Sequence, residues 1–104
     1  MDADKYISDM QQRLLSVIRV LGGHEVDGVL PSQIASRAAC SASQVTRDLA
    51  NLRRAGWAEE LPGAPGRWRL GPAAVALAMR HMTGLDRARQ RLDETARRFA
   101  RSDD

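Results

Sequence analysis

Apolar residues recur every three or four positions near the start of the chain, which is the spacing of one helix face. The residues that repeat in this way are Ile7, Met10, Leu14, Val17, Ile18 and Leu21. Gly22 and Gly23 then interrupt the repeat, as glycines do after the last turn of a helix. The pattern predicts an amphipathic helix over 8–21, followed by a link over 24–29 with a brief strand around Val29.

Two shorter helices, predicted over 31–39 and 41–55, follow in close succession. Pro31 favours the first turn of a helix because its missing N–H would have no partner there in any case. Ser41 and Gln44 form a capping-box pattern, in which a hydroxyl and an amide each satisfy a free backbone N–H. Because only a tight turn separates the two helices, the pattern predicts a helix-turn-helix.

The second of these helices has two different faces. At about 100° per residue, its apolar positions fall on one side and its polar positions on the other. The apolar side holds Ala42, Val45, Leu49 and Leu52, and the opposite side holds Ser43, Gln44, Arg47, Ala50, Asn51 and Arg54. This division is typical of a recognition helix, which lies in the DNA major groove with its polar face.

A hairpin is predicted next. Trp57–Leu61 forms its first strand, Pro62–Gly66 its tip, and Arg67–Leu70 its second strand. We expect both tryptophans in the core, because turn residues flank them and the fold needs to bury them. A hairpin directly after a helix-turn-helix is a wing, here over about 57–70. The predicted fold class is therefore mainly α with a small β-hairpin wing (α+β), a winged helix-turn-helix.

The C-terminal third is predicted to contain two helices. Pro72 opens the first of them, which continues to Met82. Thr83-Gly84 then interrupts the helical pattern. A second, arginine-rich helix follows over 86–100, and the tail at 101–104 is expected to be frayed.

The predicted domain organisation follows from that interruption. Residues 1–82 form a DNA-binding domain, with the helix-turn-helix over 31–55, and residues 83–104 form a C-terminal linker or dimerisation helix. Positions at heptad spacing continue through both helices: Val75, Ala78, Met82, Leu85, Arg89, Leu92, Ala96 and Phe99. We expect this seam to join two copies in a homodimer through Met82, Leu85, Leu92 and Phe99. The alternative is that the seam packs on the first helix of the same chain.

Composition narrows the functional class. The chain has 104 residues, enough for one domain, with no apolar run long enough to span a membrane and no secretory signal at its acidic N-terminus. A single cysteine, Cys40, makes neither an intramolecular disulfide nor a zinc cage, and we expect it to be a small buried residue. No paired carboxylates, nucleophile–base pair or phosphate loop is visible. We therefore expect a cytoplasmic protein that is not an enzyme and holds no metal or cofactor.

The net charge of +3 is unevenly distributed. Residues 1–30 hold three basic and five acidic side chains, residues 31–70 hold six and three, and residues 71–104 hold seven and five. Lys5 is the one lysine among 16 basic residues, and arginine suits phosphate and base-edge contacts. Positive charge is therefore concentrated from the predicted helix-turn-helix onward, as DNA binding requires.

The polar face of the helix predicted over 41–55 supplies candidates for reading bases. Arg47 can donate two hydrogen bonds to guanine, and Gln44 can pair with adenine. The short side chains of Ser43 and Thr46 stand near the groove entrance. We expect backbone contacts from Arg37, Asn51 and Arg54, and wing contacts to the minor groove or phosphates from Arg67 and Arg69. The alternatives are an ordinary solvated helix face and a tight turn with solvated arginines.

Three stretches carry a family resemblance: QIASRAACSASQVTRDLANL running into LRRAGW, then RWRLGPAAVALA, then GLDRARQRLDETARRF. Over roughly residues 8–100 they resemble the N-terminal DNA-binding domain and linker helix of the IclR family of bacterial transcription regulators. Asp48 stands where that family commonly has an aliphatic residue. The resemblance implies a winged helix that binds operator DNA. We expect a stand-alone module of bacterial or phage origin, with no small-molecule effector domain evident.

The resulting hypothesis is a sequence-specific transcription regulator that binds double-stranded DNA as a homodimer. We expect a repressor, associated with the nucleoid. The alternative is a winged-helix protein-interaction module that docks a partner regulator or polymerase, which the low net charge and the amphipathic tail favour.

Overall fold

The structure is a computed structural model that describes residues 3–102. Within that range the helices, hairpin and C-terminal helix follow the predicted order. A short 3-10 turn, Ala3–Tyr6, precedes the first helix. The α-helices are α1 (Asp9–Leu21), α2 (Pro31–Ala38), α3 (Ala42–Arg54) and α4 (Pro72–Ser102), and the strands β1 (Ala58–Leu61) and β2 (Ala64–Leu70) form an antiparallel hairpin.

Cap residues set the helix ends. Ser8 Oγ accepts a hydrogen bond from the backbone N–H of Gln11 at 3.3 Å, so α1 begins directly after Ser8. The capping box predicted for α3 is confirmed, because Ser41 Oγ accepts from Gln44 N at 3.2 Å and Gln44 Oε1 accepts from Ser41 N at 3.0 Å. Ala39 was predicted inside α2 but lies outside it, since its left-handed φ of 55° ends the helix.

The three shorter helices and the wing share one apolar core. Trp68 is 9% exposed, which confirms its predicted place there. Trp57 is half-buried against the core. Its backbone N–H donates to Leu52 O at 2.8 Å, so Trp57 belongs to the turn after α3 rather than to β1. Ala42, predicted on the apolar face, is exposed in the first turn of α3. The core consists of Val17, Leu21, Val29, Ile34, Val45, Leu49, Leu52, Ala58 and Trp68.

The wing has a shorter tip than predicted. β1 and β2 pair Glu60 with Trp68, and the register shifts directly after Glu60. This irregularity lets β2 begin at Ala64, so the turn is only Pro62-Gly63. The Glu60 carboxylate also accepts a hydrogen bond from the N–H of Gly66 at 3.1 Å, which fastens the widened part of the hairpin.

Val29 pairs with the hairpin through a single β-bridge, where a brief strand was predicted. Its N–H donates to Trp68 O at 2.8 Å, and Trp68 N–H donates to Val29 O at 2.9 Å. Gly28, which precedes it, has a φ of +70°, and a Cβ there would lie 2.6 Å from Leu61 Cδ1 and 2.9 Å from Arg67 Cβ. Only glycine therefore lets this link lie against the wing.

One continuous helix, α4, stands where two were predicted. Thr83 and Gly84 are helical, and Arg101 and Ser102 belong to the helix rather than to a frayed tail. Residues 103–104 lie outside the described residues. A glycine costs only about 1 kcal/mol in a helix interior, and no proline removes a hydrogen bond near Gly84. The interruption was wrongly predicted because that cost is small beside the cooperative hydrogen bonding of a long helix.

The chain divides into two units between Ala74 and Val75, earlier than the boundary predicted after Met82. The first unit contains α1 to α3, the wing and the start of α4. The second unit contains the rest of α4, and its described side chains from Val75 to Arg101 are all exposed.

We expect the Gly84→Ala variant to stabilise α4. A Cβ at this position meets nothing within 4 Å, so the gain in helix propensity, about 1 kcal/mol, is unopposed. Slower amide hydrogen exchange around Thr83–Arg87 would measure it. Gly71→Ala is the contrasting variant, because its Cβ would meet the backbone oxygen of Gly56, and it should destabilise the first unit. Faster exchange at residue 84 in the first variant would contradict the prediction.

Candidate DNA interface

The exposed face of α3 carries the predicted recognition side chains. α3 contributes Val45, Leu49 and Leu52 to the core. Its outward positions are therefore fixed by the helical period, as predicted. The exposed residues of that face are Ser43, Thr46, Arg47, Ala50, Asn51 and Arg54, with Gln44 half-buried beside them.

The charge on this face is entirely positive. Arg47 and Arg54 are exposed, and neither guanidinium has a hydrogen-bond or ion-pair partner among residues 3–102. The one acid in α3, Asp48, is only 3% exposed. Nothing anionic on α3 therefore opposes the approach of a phosphate backbone.

The smaller polar side chains of α3 already make local hydrogen bonds. Ser43 Oγ lies 3.2 Å from Ser41 Oγ, and the Thr46 hydroxyl donates to Ala42 O at 3.0 Å. Gln44 accepts through Oε1 within the capping box, which leaves its amide N–H groups as donors. Of the four predicted base-reading residues, Arg47 has the side chain with the most unused donors.

The predicted backbone-contacting residues differ in how firmly they are held. Arg54 is exposed and unpaired within residues 3–102, whereas Asn51 donates to its own helix at Arg47 O, 2.8 Å away. On α2, Arg37 donates to His24 Nε2 at 3.3 Å. That contact fixes the Arg37 side chain beside the link that precedes α2.

The wing arginines hold the hairpin to the same link. Arg67 donates to the backbone oxygen of Asp27 at 3.4 Å, and Arg69 donates to that of Glu25 at 3.0 Å. Arg69 also pairs with Glu59 across the hairpin at 3.3 Å. Both side chains therefore position the wing, a structural role that their spacing in the sequence did not reveal.

A groove of about 490 Å³ runs between α3 and the wing. Arg53, which is not among the predicted contact residues, lies at this groove with its guanidinium 5.7 Å from the centre of the Trp68 ring. It also pairs with Glu60 at 3.3 Å. The groove is lined by Pro31, Thr46, Leu49, Ala50, Arg53, Arg54 and Trp68. Its floor is apolar and its rim is cationic.

An ion pair beneath the exposed face joins α3 to α1. Arg13 Nε donates to Asp48 Oδ2 at 2.7 Å, and Arg13 Nη2 donates to Oδ1 at 2.8 Å, a bidentate geometry. The hydrogen bond and charge of Asp48 raise the pKa of Arg13 above its ordinary value. Because the pKa of Arg13 is raised, the stabilisation linked to its protonation is complete below the ordinary pKa of arginine and is lost as the pH rises through the raised value.

The sequence did contain a signal for this pair. Asp48 lies three residues after Val45 and four before Leu52, which puts a carboxylate on the apolar side of α3. A charge on such a face needs a partner, and Arg13, one residue before Leu14 on α1, provides it. The pair sets the position of α3 relative to α1. It does so at Asp48, the residue directly after Arg47.

The predicted dimerisation residues are all exposed on α4. Met82 and Leu85 are 57% and 53% exposed, and Leu92 and Phe99 are 69% and 70% exposed. These side chains form an apolar surface along the second unit.

Within residues 3–102, no cluster of three or more histidine, cysteine or acidic side chains is arranged to hold a metal ion. No helix in that range is long and apolar enough to cross a membrane. Cys40 is half-buried in the turn between α2 and α3, with its N–H donating to Ala35 O at 3.0 Å.

These elements define a winged helix: a helix-turn-helix whose second helix is exposed, followed by a two-stranded wing. A solved structure of a point mutant of S. aureus MepR shares this fold. It is 19% identical, with a TM-score of 0.52 over 88% of this chain and 68% of that chain. At this identity the likeness shows the fold alone. No family model matches the sequence, and no curated protein does.

Proposed function

We propose that this protein binds double-stranded DNA sequence-specifically and regulates transcription. In this proposal α3 lies in the major groove. The base-reading residues are Ser43, Gln44, Thr46 and Arg47, and the contacts to the DNA backbone come from Arg37, Asn51 and Arg54.

The observation that carries the proposal is the acid-free exposed face of α3. Arg47 and Arg54 project from it without partners among the described residues. Asp48 is buried, and its charge is compensated by Arg13. A helix that only covers the core gains nothing from exposing its arginines while its one acid is buried. A helix that binds phosphates and base edges does gain from this distribution of charge.

The wing supports the same proposal. A guanidinium has five N–H donors, of which Arg67 uses one and Arg69 two in the contacts described above. The remaining donors are free to contact a phosphate or the minor groove while the side chains hold the hairpin in place. Their structural and DNA-binding roles are therefore compatible.

Finer features belong to the same proposal. The motifs QIASRAACSASQVTRDLANL and RWRLGPAAVALA support an IclR-type DNA-binding module. A protein bound over a promoter site blocks the approach of the polymerase, so the proposed regulator is a repressor. Two copies acting together would match a two-fold operator. Because duplex DNA is its partner, the proposal implies a cytoplasmic protein associated with the nucleoid.

Selection of bound fragments from sheared genomic DNA of the source organism tests the proposal. We expect recovered duplexes to share one motif and a shuffled duplex of equal length to bind at least about 1,000-fold more weakly. Recovery of fragments without a shared motif, or of none, would overturn sequence-specific binding and leave protein interaction as the function of this fold.

The salt dependence of the selected complex is a further expected result. If two copies together contact about six phosphates, log K should fall with log salt at a slope of roughly −5. Fluorescence anisotropy of a labelled duplex between about 50 and 200 mM salt measures this slope. A slope near zero would contradict contacts to the phosphate backbone.

A further inference from the structure

The described part of the second unit is a helix with an uncovered apolar seam. The seam contains one position every three or four residues from Val75 to Phe99, in perfect heptad order. Gly84, the residue expected to break it, is helical. It falls one position before Leu85 and therefore outside the seam.

A seam of this kind normally packs against another helix. Leu92 and Phe99 are among the most exposed large apolar side chains in residues 3–102, at 69% and 70%. An a/d pattern sustained over about three to four heptads indicates a coiled coil. We propose that α4 pairs with α4 of a second copy of this chain, and that the two helices run antiparallel.

The orientation follows from the one charged residue in the seam. Arg89 occupies a seam position, and on its own helix it lies 3.4 Å from Asp86. In a parallel, in-register pair, Arg89 would face the partner's Arg89, and its flanking neighbour on the partner would be Ala88, which is uncharged. Two like charges would then face each other in the interface, and the acid beside each would be the Asp86 of its own helix, with none supplied by the partner.

Antiparallel pairing removes this conflict. When Val75 is level with the partner's Phe99, every seam position from both helices is used. In that register Arg89 is level with the partner's Leu85 and beside the partner's Asp86. Each Arg89 then lies one residue along the pair from the partner's Asp86, so each arginine has an opposite charge beside it, and the two aspartates lie between the two arginines.

The arrangement has a consequence that rests on the proposed DNA binding. In an antiparallel pair, the winged units attach at opposite ends of the seam. From position 75 to position 99 a helix rises about 36 Å. That separation is close to the 34–36 Å of about one turn of DNA. In this pair α4 therefore sets the distance between the two points at which the winged units join it.

Disulfide cross-linking tests the pairing without DNA. In a Cys40→Ser background, Ala78→Cys and Ala96→Cys are prepared as two separate proteins, since both positions are exposed in the seam. After oxidation we expect the mixed pair to form a covalent heterodimer and each protein alone to form little dimer. A dimer formed by Ala78→Cys alone would overturn the antiparallel orientation. Absence of cross-links in every sample would overturn pairing through α4.

Sedimentation velocity supplies the matched control. Leu92 lies in the seam, and Leu77 is an exposed leucine on the same helix but outside the seam. We expect Leu92→Asp to weaken dimerisation by at least about 30-fold, since it buries an unpaired charge, and Leu77→Asp to leave it unchanged. Equal effects would overturn the seam as the interface. A dimer that meets both tests but binds no duplex would refute the proposed function and leave the pairing intact.

Discussion

We expect the Arg13→Met variant to lower the urea midpoint of the winged unit by about 2 M. Methionine fills much of the space but leaves Asp48, which is 3% exposed, without a counter-charge. An uncompensated buried carboxylate is far more costly than a missing surface ion pair. Fluorescence of Trp57 and Trp68 follows this transition in the first unit, without interference from α4.

The double variant Arg13→Met with Asp48→Leu is the control. It replaces the ion pair with two apolar side chains, and such replacements of buried pairs are often neutral or stabilising. We therefore expect its midpoint to return close to that of the unaltered protein. If Arg13→Met alone keeps the original midpoint, Asp48 is hydrated and the pair does not set the position of α3.

The second large effect is expected at Arg47. Arg47→Ala should weaken binding to the selected duplex by about 10- to 100-fold, the value of a bidentate contact to guanine. Binding to a non-specific duplex should fall much less, because only one charge per chain is lost. Anisotropy titrations of both duplexes at one fixed salt concentration give the specificity ratio.

Two further variants separate charge from geometry. Arg47→Lys keeps the charge but loses the planar fork, so we expect it to retain non-specific binding and lose most of the specificity. Arg19→Ala removes the same charge from an exposed position on α1 and should leave both affinities nearly unchanged. If Arg19→Ala and Arg47→Ala weaken binding equally, Arg47 contributes only to the overall field and reads no base.

The core of the fold was predictable because its signals are local. The periodicity of α1, the cap formed by Ser41 and Gln44, and the hairpin between Trp57 and Leu70 each involve residues close in the chain. They gave the order of elements and most helix ends. The errors arose where local signals are weak, as at Gly84, whose cost one long helix absorbs, and at Ala64, where a register shift extends β2.

The candidate interface was predictable only in part. Helical periodicity alone identified the exposed side of α3, because the core must lie on the other side. It did not show that Arg67 and Arg69 would bond to the link before α2, since those contacts span 40 and 44 residues. Nor did it show that Arg53 would lie beside Trp68.

The sequence by itself determined the helices, the hairpin and the polar face of α3, because helical and strand periods act over a few residues. The tertiary structure alone decided which charges are free for a partner. Asp48 and Arg13 lie 35 residues apart, and only folding brings them together, which removes the one acid from the surface of α3. Burial is a property of the whole chain, and it is burial that leaves Arg47 without a competing charge.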